Sequence, residues 1–167
     1  MVRTIMVAMA ALALSGGAAF AQKGPQAQQQ QYPDWRQPPR YATVNLQAGF
    51  EPDPREMHVE AGGDREATGI GRDCSGWIDF SKPDVDLNYT AGQYPLYISV
   101  VSNADTTLVI NDSQGNWICN DDMEGNNPGI VLERPQSGNY NLWIGTFDRS
   151  QPQRAVLRIS EMPPQRR

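Results

Sequence analysis

Histidine is almost missing from this chain: His58 is the only one in 167 residues. A Ser-His-Asp triad would have to use it, yet no serine stands in a G-x-S-x-G or G-D-S-G-G setting. His58 lies in the run Glu56-Met57-His58-Val59-Glu60 and reads as an ordinary strand or loop residue. Cysteine is limited to Cys74 and Cys119, with no C-x-x-C spacing, which argues against a structural zinc site. Basic residues are outnumbered, 14 against 19 acidic, and form no long run. Such a surface is a poor partner for the phosphate backbone of nucleic acid. Long apolar runs are also lacking. The one at residues 5–14 is too short to span a bilayer, and nothing later is longer, so no membrane span is expected. After it, no amphipathic-helix pattern recurs.

What is present begins with the order of a secretory signal. Arg3 supplies a positive start, residues 5–14 an apolar middle, and Ala19-Phe20-Ala21 an A-x-A cleavage site. Residues 1–21 are therefore expected to be a signal peptide, and the mature chain to be periplasmic or secreted. Loss of Arg3 leaves 13 basic residues against 19 acidic ones. Residues 22–40, QKGPQAQQQQYPDWRQPPR, are rich in Gln and Pro and have little to bury. They read as a disordered linker, because packing would not offset their ordering entropy. Residues 163–167 read as a tail, leaving 41–162 for one domain.

Within that domain the apolar period is two. In Asp84-Val85-Asp86-Leu87-Asn88-Tyr89 every second residue is apolar, as a half-buried strand requires. Residues 95–101, 106–110, 117–119, 129–133, 140–145 and 155–160 are further strands, with 41–48 as a first one. Turn-forming stretches separate them, such as Ser113-Gln114-Gly115-Asn116 and Gln136-Ser137-Gly138-Asn139. The expected fold is all-β, a jelly-roll-like antiparallel sandwich of about eight strands. In an oxidising compartment Cys74 and Cys119 are expected to bond. Closing that loop contributes about 4 kcal/mol in the chain-entropy model. Two unpaired thiols are the alternative.

The order of short motifs resembles the bacterial pre-peptidase C-terminal domain. It runs through Asp105-Thr106-Thr107-Leu108, Gly115-Asn116, Asn120-Asp121-Asp122, Gly125-Asn126-Asn127-Pro128, Ser137-Gly138-Asn139-Tyr140 and Trp143-Ile144-Gly145. The stretch from Gly49 to Ile159 is also similar to small exported bacterial proteins that contain such a domain alone. The resemblance implies a jelly-roll sandwich that accompanies exported proteases as an accessory module, and related domains bind calcium and collagen. The chain reads as the module alone, so whether a protease-linked role carries over is left open by the resemblance.

Candidate sites follow from residue chemistry and from that resemblance together. Asp105, Asp112, Asn120, Asp121, Asp122, Glu124, Asn126 and Asn127 offer hard oxygen donors of the kind calcium prefers. The alternative is that they only form turns, which Asp and Asn do routinely. An EF-hand from Asp122 to Glu133 is ruled out, since its sixth position is Asn127 and Pro128 follows. Adjacent acids on one turn also fail to define the facing pair of a glycosidase. Trp77, Trp117 and Trp143 could form a sugar- or peptide-binding platform but read as core, the last two near the disulfide or on the inner sheet faces. Tyr94 and Tyr97 are the surface-contact candidates. The functional expectation is an exported non-catalytic binding or structural module whose partner is a protein or polymer of the envelope or extracellular space, with calcium as candidate cofactor. A secreted peptidase-like hydrolase, or an accessory or inhibitor of an exported protease, is the alternative.

Overall fold

The computed structural model describes residues 31–163. The expected signal peptide and most of the expected tail lie outside the described residues. Every expected strand forms: β1 (Ala42–Gln47), β5 (Val85–Thr90), β6 (Leu96–Ser102), β7 (Thr106–Asn111), β8 (Trp117–Asn120), β9 (Gly129–Leu132), β10 (Gly138–Thr146) and β11 (Gln153–Ser160). Three more are added, β2 (Arg55–Ala61) and the two-residue β3 (Arg65–Glu66) and β4 (Trp77–Ile78). There is no helix among the described residues.

The strands make two sheets, which form an all-β sandwich. The smaller has the order β2-β11-β6-β9 and is antiparallel throughout. The larger is organised on β10, which pairs with β5 along one edge and β7 along the other, with β1 beyond β5 and β8 beyond β7. One pair departs from the antiparallel expectation: β1 runs parallel to β5. A parallel pair needs a long crossover, and residues 48–84 supply it, crossing to the other sheet to make β2 on the way.

Between the sheets lies a core drawn from the alternating apolar positions, including Val85, Leu87, Tyr89, Ile98, Val100, Leu108, Ile110, Leu142, Ile144 and Leu157. A second cluster sits on the opposite face of the larger sheet. Val109 and Trp143 point outward there and are covered by Ala67, Ile70, Cys74, Ile78 and Phe80, with Trp117 and Cys119 packed alongside. Residues 63–80 thus form an outer layer, closed by the expected Cys74–Cys119 disulfide. The layer lies so close to β10 that Gly145 has no room for a side chain; a Cβ there would collide with the carbonyl oxygen of Trp77.

Asp84 repairs a gap in the larger sheet. Thr146 pairs with both Thr106 of β7 and Trp77 of β4, so β4 succeeds β5 along the same edge of β10. Where one strand stops and the other has not begun, the Asp84 carboxylate accepts the Ile144 N–H at 2.8 Å. A buried backbone donor requires such a partner. The Asp84 N–H donates in turn to the Leu142 carbonyl at 2.8 Å.

Residues 31–40, read from composition as part of a linker, lie against the domain. The Asp34 N–H donates to the Phe80 carbonyl and the Arg40 N–H to that of Pro83, both at 2.8 Å. The Tyr32 ring stacks on Trp117, 5.9 Å between centroids. The linear sequence does not display this pairing of Tyr32 with the Trp117 ring.

Candidate functional site

The strand order explains where the acidic residues meet. β7 runs antiparallel to both β8 and β10, with Leu108 opposite Asn120 and Thr106 opposite Thr146. The residue before β7, Asp105, therefore stands beside the residues that follow β8 and β10. Those are Asp121 and Asp122 on one side and Asp148 on the other. All three negative charges push the Asp105 pKa upward, although burial is the larger cause of the rise. Oδ1 of Asp105 is buried without a hydrogen-bond partner. The Asp105 carbonyl accepts from the Phe147 N–H at 3.1 Å, which ties the two turns together.

Asp121 is held from the outer layer. Its Oδ2 accepts from the Ser75 hydroxyl at 3.0 Å, and the Ser75 carbonyl accepts from the Thr107 hydroxyl at 3.0 Å. Ser75 follows Cys74, and Cys119 lies two residues before Asp121. The disulfide thus anchors both neighbours of this contact.

The remaining candidates divide. Asp112 is at the far end of β7, roughly 20 Å from Asp105 at the rise of an extended six-residue strand. It closes the β7–β8 turn, accepting from the N–H groups of Gln114 and Asn116 at 2.8 Å each. The sequence grouped it with the others only because the intervening residues are few. Asn120 and Asn127 spend their amide oxygens on structure, accepting from Gly129 N–H and Ser102 N–H, each at 2.8 Å. The Asn126 carbonyl accepts from Thr106 N–H at 3.2 Å, and Glu124 pairs with Asn127 across an exposed turn. Sequence reading missed Asp148. Its signal is the β7–β10 register, which no local pattern displays.

This end of the sheet therefore gathers an orphaned carboxylate oxygen on Asp105 and three further carboxylates whose charges act on it. The spacing is looser than a finished cage. Among the described residues no three His, Cys, Asp or Glu side chains are close enough together to hold a metal ion as they stand.

His58 lies exposed on the edge strand β2, opposite Val156. Tyr94 is exposed, and Tyr97 is half-buried on β6 between Val131 and Ser160. Trp143 is fully buried and packs on Trp117, ring centroids 5.3 Å apart, beside the disulfide.

These features define a class: an all-β, two-sheet sandwich with a disulfide-closed outer layer and an acidic end. Its fold is similar to that of the pre-peptidase C-terminal domain of a collagenase from Bacillus anthracis, at 12% identity and a TM-score of 0.46, covering 74% of this chain and 98% of that one. A periplasmic inhibitor of g-type lysozyme from Aeromonas hydrophila is also similar, at 9% identity and a TM-score of 0.34, covering 71% and 96%. No family model matches the sequence, and no curated protein does.

Proposed function

We propose that this chain is an exported, non-catalytic β-sandwich module of the periplasm or extracellular space, and that the acidic end of its larger sheet takes a calcium ion. The observation that carries the calcium reading is the orphaned Oδ1 of Asp105, set among the charges of Asp121, Asp122 and Asp148. The other three charges act on Asp105, and a divalent cation would offset them. Because no three acidic groups are already closed on one point, the carboxylates must draw together and main-chain carbonyls or water complete the shell. That adjustment makes the affinity weak, in the range of extracellular calcium modules, roughly 0.1–1 mM. The disulfide bond supports export, since such bonds persist in oxidising compartments. The acidic balance of the chain supports a protein or polymer partner over nucleic acid.

Calcium at about 5 mM is expected to raise the melting temperature by about 3–6 °C through mass action on the folded state. Asp121→Asn with Asp122→Asn abolishes the rise. Asp105→Asn raises the melting temperature in calcium-free buffer, by relieving repulsion, and removes the response to calcium. A melting curve unmoved by calcium, with a flat calorimetric titration, reduces these residues to turn-formers.

A further inference from the structure

The face of the larger sheet that looks away from the inter-sheet core is polar along β1, β5 and the first residues of β10, before Trp143. Val44, Val85, Leu87, Tyr89, Tyr140 and Leu142 point into the core, so the alternate residues of the same strands stand on the other face. Register arranges them in rows. Asn45, Asn88 and Asn139 are partners across the three strands, and Gln47 and Thr90 make the next row.

The asparagine row is joined through its side chains. Asn139 Nδ2 donates to Asn88 Oδ1 and Asn88 Nδ2 donates to Asn45 Oδ1, both at 2.9 Å. A carboxamide carries two N–H donors and two lone pairs on its oxygen. The ladder therefore fixes each amide plane while leaving a second donor or lone pair to face outward. Hydrogen bonds in a chain polarise one another, which strengthens the free ends.

These side chains line a shallow groove of about 530 Å³, with Ser137 on its rim, within the usual volume range of small-ligand sites. No lining residue carries a charge, although the chain as a whole is at −5. None of the exposed large hydrophobic side chains lies in it either. The lining offers an ionic ligand no counter-charge, Asp86 in the adjoining row being held by Asn141, and it offers no large exposed apolar side chain as an anchor. What remains is a fixed array of neutral donors and acceptors at strand spacing, about 4.8 Å per step. The geometry points to a binding site for a neutral oligosaccharide, whose adjacent hydroxyls bridge neighbouring amides. Three amides in a row span about 10 Å, so a sugar chain laid across the strands meets them with about two successive units. The ordering of the amides is complete before the ligand arrives, which lowers the cost of binding. The groove lies at the start of β10 and the acidic cluster beyond its end, so the two sites are independent.

The test is a titration of the ¹⁵N-labelled protein with cellohexaose, maltohexaose and chitohexaose, each to about 10 mM, followed by NMR. The side-chain amide resonances of Asn45, Asn88 and Asn139 are expected to shift and saturate with at least one of them. Asn88→Ala, an exposed position, should weaken that binding about tenfold. Thr90→Val, which alters the groove and leaves the ladder intact, should weaken it less, and Arg154→Ala on the other sheet should not change it. The assignment is overturned if none of the three sugars gives saturable shifts in the unmodified protein. It is overturned equally if the shifts survive Asn88→Ala unaltered, or if the face responds only to polygalacturonate or to a peptide strand that moves the β1 backbone amides.

Discussion

Leu142 and Trp143 are neighbours on β10, both fully buried, and they belong to different cores. Leu142 points between the sheets, into a core that alternating strands on both sides supply. Trp143 points outward, into a cluster that exists only because residues 63–80 fold over it and are pinned by the Cys74–Cys119 bond. One core is a property of strand periodicity. The other is a property of a long crossover that returns across its own sheet. The difference predicts two levels of cooperativity in one small domain, the inter-sheet core unfolding globally and the outer layer able to open first.

The largest expected effects test whether both cores matter equally to global stability. Trp143→Ala should cost about 3–5 kcal/mol and Leu142→Ala about 2–5 kcal/mol, read from urea denaturation. Trp143→Phe should be much milder, because the indole Nε1 is buried without a partner and its removal leaves no donor stranded. If Trp143→Ala costs less than about 1 kcal/mol, the outer cluster contributes packing without stability.

Somewhat smaller is the disulfide effect. Replacing both Cys74 and Cys119 by Ser should cost about 2–4 kcal/mol. Hydrogen exchange locates that loss: amides of residues 63–80 should lose protection while those of β6 and β11 keep it. Parallel loss in both regions would show that the two cores are one unit.

The seam between them adds an effect that depends on pH. Burial raises the pKa of Asp84 to about 7, against the lowering effects of the Ile144 N–H bond and Arg40, with Asp79 adding to the rise. The Arg40 Nε lies 3.7 Å from Asp84 Oδ1, and the Arg40 guanidinium also pairs with Asp79. The folded state then holds this proton more tightly than the unfolded state does. Its contribution to stability is complete below about pH 4 and is lost as pH rises through about 7. Asp84→Asn keeps an oxygen acceptor for Ile144 and removes the titration. Relative to the parent, the variant should gain stability steadily from about pH 4 to about pH 7 and then level off, as measured by denaturation across that range. A constant difference would mean that Asp84 is ionised throughout.

Much of the inter-sheet core was legible residue by residue. Val85, Leu87 and Tyr89 alternate with Asp86 and Asn88, and alternation is a local consequence of the pleat. β2 escaped notice because Arg55, Glu56, His58 and Glu60 dominate its composition, as an edge strand tolerates. β3 and β4 are two residues each, too short to show a period. At the acidic end, Asp105, Asp121 and Asp122 were singled out from residue chemistry and the family resemblance together. Asp148 was not, and Asp112 was wrongly grouped with them, because sequence proximity was standing in for strand register.

Asn45, Asn88 and Asn139 mark the division most clearly. Sequence by itself determined that Asn88 occupies an outward position on a strand, since side-chain direction follows from a period of two within a few residues; Asn45 reads only as part of a first strand, and Asn139 as part of a turn. Sequence likewise determined the two-cysteine staple and the β class. Only the tertiary structure decided that β1 lies parallel to β5 and that β10 joins on the other side, which turns three separate asparagines into one hydrogen-bonded row. Pairing partners are chosen by long-range burial and by the path of the crossover, and neither is written in any local window of the chain.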